Sequence, residues 1–150
     1  MFSATIGVLR KTVRMLLSNS APGQLAAGVA IGMMIGLVPK GNLIALSLCV
    51  LLFSLRCNKG IALLVAVAVS FVGPMADEFT HRLGLMVLGA PSLQAAYASI
   101  FNMPLGPWMG IDNTVVVGSL VLGAYQAYPV FWITRQMFAK ISRRRVEAAT

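Results

Sequence analysis

Apolar residues in this chain gather into long blocks, and polar residues collect at the breaks between them. No charged residue occurs from Met15 to Pro39, Gly41 to Leu55, Gly60 to Ala76, Leu83 to Ile111 or Asn113 to Thr134. A helix needs roughly 17–25 apolar residues to span hydrocarbon. Two blocks reach that length comfortably and two are short. Ahead of them, Phe2, Ile6, Leu9, Val13, Leu16 and Leu17 recur at helical spacing, while Arg10, Lys11 and Arg14 fall largely on the opposite face. This pattern predicts an amphipathic helix over residues 2–17, lying in the headgroup layer with its three cations near lipid phosphates.

The breaks divide the rest. At Ser18-Asn19-Ser20-Ala21-Pro22-Gly23, Ser20 can cap the next helix and Pro22 suits its first turn. Pro39-Lys40-Gly41-Asn42 is a tight turn. Residues 22–55 therefore read as a short helical hairpin, with one arm ending near Val38 and the other running from Leu43 to Leu55. Arms this short predict a re-entrant element whose tip stops within the membrane or at its far interface. Irregular backbone at that depth must be covered by protein or face water. Asn58 can cap a transmembrane helix over 61–82, kinked at Pro74. Residues 83–107, broken by Gly89, Pro91, Pro104 and Pro107, predict an interfacial segment anchored by Trp108. A second transmembrane helix follows over 112–140, capped by Asp112 or Asn113 and kinked at Pro129, and 141–150 is a frayed basic tail. The expected fold is an all-α integral membrane protein in one domain of 150 residues.

Composition sharpens this picture. Hydrophobic residues make up 58% and charged residues 11%, against about 25% charged in an average soluble domain. The net charge is +8, but the cations bracket apolar blocks instead of coating a face. That favours membrane topology over nucleic-acid binding. If the chain starts in the cytoplasm and the hairpin returns it there, ten of the twelve basic residues lie inside. They are Arg10, Lys11, Arg14, Arg56, Lys59, Arg135, Lys140, Arg143, Arg144 and Arg145. Asp77, Glu78 and Asp112 then lie outside. The expectation is a multi-pass bacterial inner-membrane protein with both termini cytoplasmic. The first nine residues carry no basic side chain, the wrong order for a cleaved secretory signal.

Candidate chemistry is sparse. His81 is the one histidine, and Cys49 and Cys57 sit in or beside apolar runs. No metal centre, cofactor site or catalytic nucleophile–base pair is expected. Asp77, Glu78, His81 and Arg82 read as a solvated helix end with Asp77–His81 and Glu78–Arg82 pairs. Gly28, Gly32 and Gly36 form a small-residue stripe that lets another helix approach closely. That helix belongs either to this chain or to a partner. Ser119 and Gly123 repeat the spacing on the last helix, so these five are the candidate partner-packing residues. Pro39, Lys40, Gly41 and Asn42 are the candidate tip site. There Lys40 can meet a lipid phosphate or a partner carboxylate, or snorkel to water at the far interface.

Ala21 to Asn42, with its glycine stripe leading to the Pro-Lys-Gly-Asn tip, resembles the glycine-rich hairpin of the bacterial domain-of-unknown-function family 2062. The tip followed by Leu43, together with Asn113-Thr114-Val115-Val116-Val117-Gly118-Ser119, looks more closely like a small related family of inner-membrane proteins of about this length. The broader family tends to carry Asn-Pro after its third helix. Gly73-Pro74 stands here, so no role for that asparagine carries over. The resemblance implies a membrane subunit encoded beside a larger envelope protein, and by extension lipid transport or envelope maintenance. The expected function is a non-enzymatic membrane-embedded subunit that docks this larger protein, with membrane lipids as its other partners. The rival is a small oligomeric transporter or channel, since the hairpin resembles a re-entrant element.

Overall fold

The computed structural model describes Gly7 and residues 20–147, with only the backbone of Arg145 and Val146. The helix expected over 2–17, with Arg10, Lys11 and Arg14, lies outside the described residues, Gly7 apart. What is described is all-helical. α1 spans Pro22–Leu37, α2 Leu43–Ser54 and α3 Lys59–Val72. A 3-10 turn over Gly73–Ala76 joins α3 to α4, Asp77–Leu88. A second 3-10 turn at Pro91–Leu93 leads to α5, Gln94–Phe101. A third, Gly106–Met109, precedes α6, Thr114–Glu147.

α1 is the axis of the molecule. Its principal neighbours are α3 and α6, and α4 packs on α6 in turn. The α1–α3 contact is made by the glycine stripe. A Cβ on Gly28 would stand 2.6 Å from the Asn58 carbonyl oxygen, one on Gly32 would strike the Ala62 carbonyl, and one on Gly36 would stand 2.5 Å from Val69 Cβ. Residue numbers rise together along this seam, so α1 and α3 run parallel. Their beginnings are tied by the Asn58 amide donating to the Gln24 carbonyl at 3.0 Å. α6 returns antiparallel. Gly123 meets Met34 of α1, while Gly118 lies against the Thr80 backbone and Gly84 against that of Thr114. The core gathers around this axis from Ile35, Val38, Leu48, Leu52, Ala62, Ala66, Ile111, Val116 and Val117.

Two helical stretches, Lys59–Leu88 and Thr114–Arg144, are long and apolar enough to cross a membrane. Only 22% and 28% of their most apolar windows are buried within the protein. A helix that is apolar all round belongs in a core or in lipid, and these are not buried in a core. Phe71, Met75, Tyr125 and Trp132 are among the large side chains left outside.

The helix boundaries correct several sequence expectations. The helical stretch placed at 61–82 continues to Leu88, so residues 83–88, expected in the segment after it, belong to α4. Asp77 and Glu78 occupy the first turn of α4, where acids favour the positive end of the helix dipole. They mark a start after Pro74, not a stop. α6 continues past 140 through Glu147 instead of fraying, with Arg143 and Arg144 suited to the negative end of its dipole. Ala21, not Ser20, is the N-cap of α1. Ser20 instead accepts a hydrogen bond from Asn58 Nδ2 at 2.8 Å. Asn113, not Asp112, caps α6, its Oδ1 accepting from the Val115 and Val116 amides at 2.9 and 3.3 Å.

Gly118→Val is expected to lower the thermal unfolding midpoint of the detergent-solubilised protein by several degrees, because overpacking here costs about 1–3 kcal/mol. Gly23→Ala is the control, since nothing lies within 4 Å of a Cβ there, and it should leave the midpoint in place. Circular dichroism reads both.

Candidate functional site

The hairpin tip is built by local hydrogen bonding. α1 ends at Leu37, and Val38 turns extended with its side chain fully buried. The last carbonyls of a helix lack intrahelical partners. Lys40 supplies them: its Nζ donates to the carbonyls of Ile35 at 2.7 Å, Val38 at 2.6 Å and Gly36 at 3.3 Å. A cation there also suits the negative end of the α1 dipole. Burial pushes the Lys40 ammonium below the ordinary lysine value, with Cys49 opposing that shift. Gly41 adopts a φ of 94°, a left-handed conformation that a side chain would strain. Asn42 then caps α2, accepting from the Ala45 amide at 2.8 Å while its Nδ2 donates to the Pro39 carbonyl at 2.7 Å.

Two recesses flank this turn. On one side, Pro107, Trp108 and Gly110 share a recess with Gly41 and Asn42. Gly110 is left-handed at φ 73°, and a Cβ there would stand 3.1 Å from Asn42 Cβ. On the other side lies a cavity of about 220 Å³ lined by Gly36 to Lys40 and by Ser70, Gly73, Pro74 and Asp77. Ser70 Oγ donates to the Ala66 carbonyl at 2.7 Å and makes a longer 3.4 Å contact to that of Gly36. The tip is therefore level with the bend between α3 and α4.

The predicted site residues separate into two groups. Pro39, Lys40, Gly41 and Asn42 come together at the tip. Gly28, Gly32 and Gly36 face α3 of the same chain, so this stripe does not lie open to a partner. Gly123 touches Met34 rather than the stripe, so α6 and α3 meet α1 separately. Ser119 is buried, and its hydroxyl has no hydrogen-bond partner among the described residues. The same holds for Nε2 of Gln126, seven residues further along α6. Within the polar cluster, Glu78 pairs with Arg82 at 2.8 Å. The His81 ring is engaged across the helix interface, its Nδ1 meeting Thr114 Oγ1 at 2.6 Å.

Sequence reading missed Ser70 and Asp77 as walls of the tip, because they belong to another helix. It also missed the Gly84 and Gly118 approach. Gly118 stood within the Asn113–Ser119 motif and was the available signal.

Among the described residues the fold defines an all-helical protein with two helices fit to cross a membrane and a capped hairpin tip beside one of them. The chain belongs to the family described as "Uncharacterized protein conserved in bacteria (DUF2062)", whose model matches residues 8–147. It is similar to an "Uncharacterized protein" of Treponema pallidum (strain Nichols), at 32% identity over 130 residues covering 87% of this chain and 80% of that one. No solved structure matches it.

Asn42→Ala should destabilise the protein by about 1 kcal/mol through loss of the cap. Asn42→Asp keeps the acceptor but not the donor to Pro39, so its unfolding midpoint should fall between those of Asn42→Ala and the parent.

Proposed function

We propose that this chain is a non-enzymatic, multi-pass subunit of the bacterial inner membrane that docks a larger envelope protein and holds lipid at its hairpin tip. The observation that carries the reading is the segregation of charge along the helix axis. Arg56 and Lys59 sit where α1 and α3 begin. Lys140, Arg143 and Arg144 fall at the same end, because Pro22 shares a recess with Ala139, Ser142 and Arg143. Asp77 and Glu78 lie at the opposite end, beside the tip, where Lys40 and Arg82 are the accompanying cations. Eighteen residues separate Lys59 from Asp77, about 27 Å at 1.5 Å per residue, close to the thickness of roughly 30 Å of hydrocarbon. Between these ends, Gly60 to Ala76 and Asn113 to Thr134 carry no charged side chain.

On this reading the cation-rich end is cytoplasmic, with both termini there. The tip reaches the far headgroup layer, where residues 106–111 cover its irregular backbone. Phe101, Met103, Leu105 and Trp108 are exposed beside it. An exposed apolar ledge of this kind suits contact with a membrane partner or lipid. The partner's identity as an envelope protein draws on the family resemblance. The polar groups of the tip are engaged with backbone amides and carbonyls, an arrangement that holds shape rather than turning over a substrate.

Single reporters Ser99→Cys and Ser142→Cys, in a background lacking Cys49 and Cys57, test the topology. An impermeant thiol reagent on spheroplasts should label position 99, and position 142 only after lysis. Labelling of both from one side would sink the topology. Gentle extraction should recover a larger protein in stoichiometric amount, and recovery of the chain alone would count against docking.

A further inference from the structure

We propose that the cavity between the hairpin tip and the α3–α4 bend holds a zwitterionic phospholipid headgroup, its phosphate at Lys40 and its primary amine at Asp77. The inference rests on the reading that the tip lies in the far headgroup layer, and it names the lipid chemistry that layer would present.

Lys40 and Asp77 line the same space of about 220 Å³, room for roughly seven waters at about 30 Å³ each. They do not pair with each other. Glu78, the neighbouring acid, pairs with Arg82. The helix dipole accounts for acids at the start of α4, but Glu78 is the one that finds a cation. Asp77 stands at the cavity wall with its carboxylate unengaged among the described residues. A cation and an anion facing one cavity without neutralising each other form a complementary pair for a ligand of the opposite order.

The Lys40 geometry permits the exchange. An ammonium has three donors, and here all three go to carbonyls, which carry only partial charge. The ammonium's full positive charge is left for an anion. The longest of the three bonds, to Gly36 at 3.3 Å, is the one a phosphate oxygen would displace. The Ser70 hydroxyl, 3.4 Å from the Gly36 carbonyl, can then turn its one proton from the Ala66 carbonyl to that oxygen. Charge-assisted bonds to phosphate are stronger than the neutral-acceptor bond given up.

The surroundings favour a lipid over a soluble phosphate compound. Ser70, Gly73, Pro74 and Asp77 follow one another at helical spacing along the cavity wall. The neighbouring stripe carries Phe71 and Met75, which are 81% and 85% exposed. These offer apolar surface to acyl chains immediately below the charged pair.

The test uses the full chain in nanodiscs of equal phosphatidylethanolamine, phosphatidylglycerol and phosphatidylcholine, with retained lipid read by native mass spectrometry. Phosphatidylethanolamine should be retained about tenfold over the other two, the worth of one charge-assisted contact near 1.4 kcal/mol. Phosphatidylglycerol lacks the amine, and the methylated amine of phosphatidylcholine cannot donate. Asp77→Asn should level the three while leaving the protein folded. Lys40→Gln should reduce all three, but it also uncaps α1, so Asp77→Asn decides the matter if that variant fails to fold. Equal retention by the parent protein, or a preference unchanged in Asp77→Asn, overturns the proposal. So does displacement of the lipid by soluble phosphoethanolamine, which would make the free compound the occupant. If position 99 is labelled from outside while no amine preference is seen, the headgroup assignment fails and the membrane reading stands.

Discussion

Two helices come to backbone contact only where no side chain stands between them, and the arrangement of this molecule follows from where that condition is met. Lipid offers apolar surface as readily as another helix does, so association in a membrane depends on closeness of fit and not on escape from water. Gly28, Gly32 and Gly36 bring α1 against the α3 backbone. Gly84 and Gly118 do the same between α4 and α6. With these seams set, α1 sits between α3 and α6, and the level of everything attached to its ends is determined.

The tip is the main beneficiary. The α1–α3 seam stops at Gly36, one residue before α1 ends, so the turn that follows is delivered to the α3–α4 bend. Its backbone groups are satisfied from within by Lys40 and Asn42. Its remaining faces are closed by Gly110 on one side and bordered by Ser70 and Asp77 on the other. That internal pairing matters because a backbone polar group left buried without a partner costs several kcal/mol.

Much of this was legible in the sequence. The uncharged blocks marked the helices, Pro39 to Asn42 marked the turn, and Asn58 announced a cap that the structure contains, whereas the cap at Asn42 was read only as part of the turn. Family membership was legible in the same stretch. What was hidden was pairing across distance. The glycine stripe said that something packs closely but not which helix does so, and α3 is as apolar on its outward face as on its inward one. The charges from Asp77 to Arg82 looked like a terminus because polar clusters usually are. The way α4 resumes beyond Pro74 depends on its docking to α6 through Gly84 and His81, which local pattern does not encode. Lys40 drew attention as an isolated charge, and its first task, capping the helix it follows, became visible only with the turn in place.

The central place of α1 has a consequence for synthesis. It is the first of these helices to leave the ribosome, yet its two principal neighbours, α3 and α6, are made later, and α6 is the last of the described helices. Until α3 emerges, the glycine stripe has nothing to close against, and the hairpin lacks the wall that borders its tip. Among the described helices the axis of the fold is therefore the earliest to be made and the last to be completed, and its assembly waits on α6.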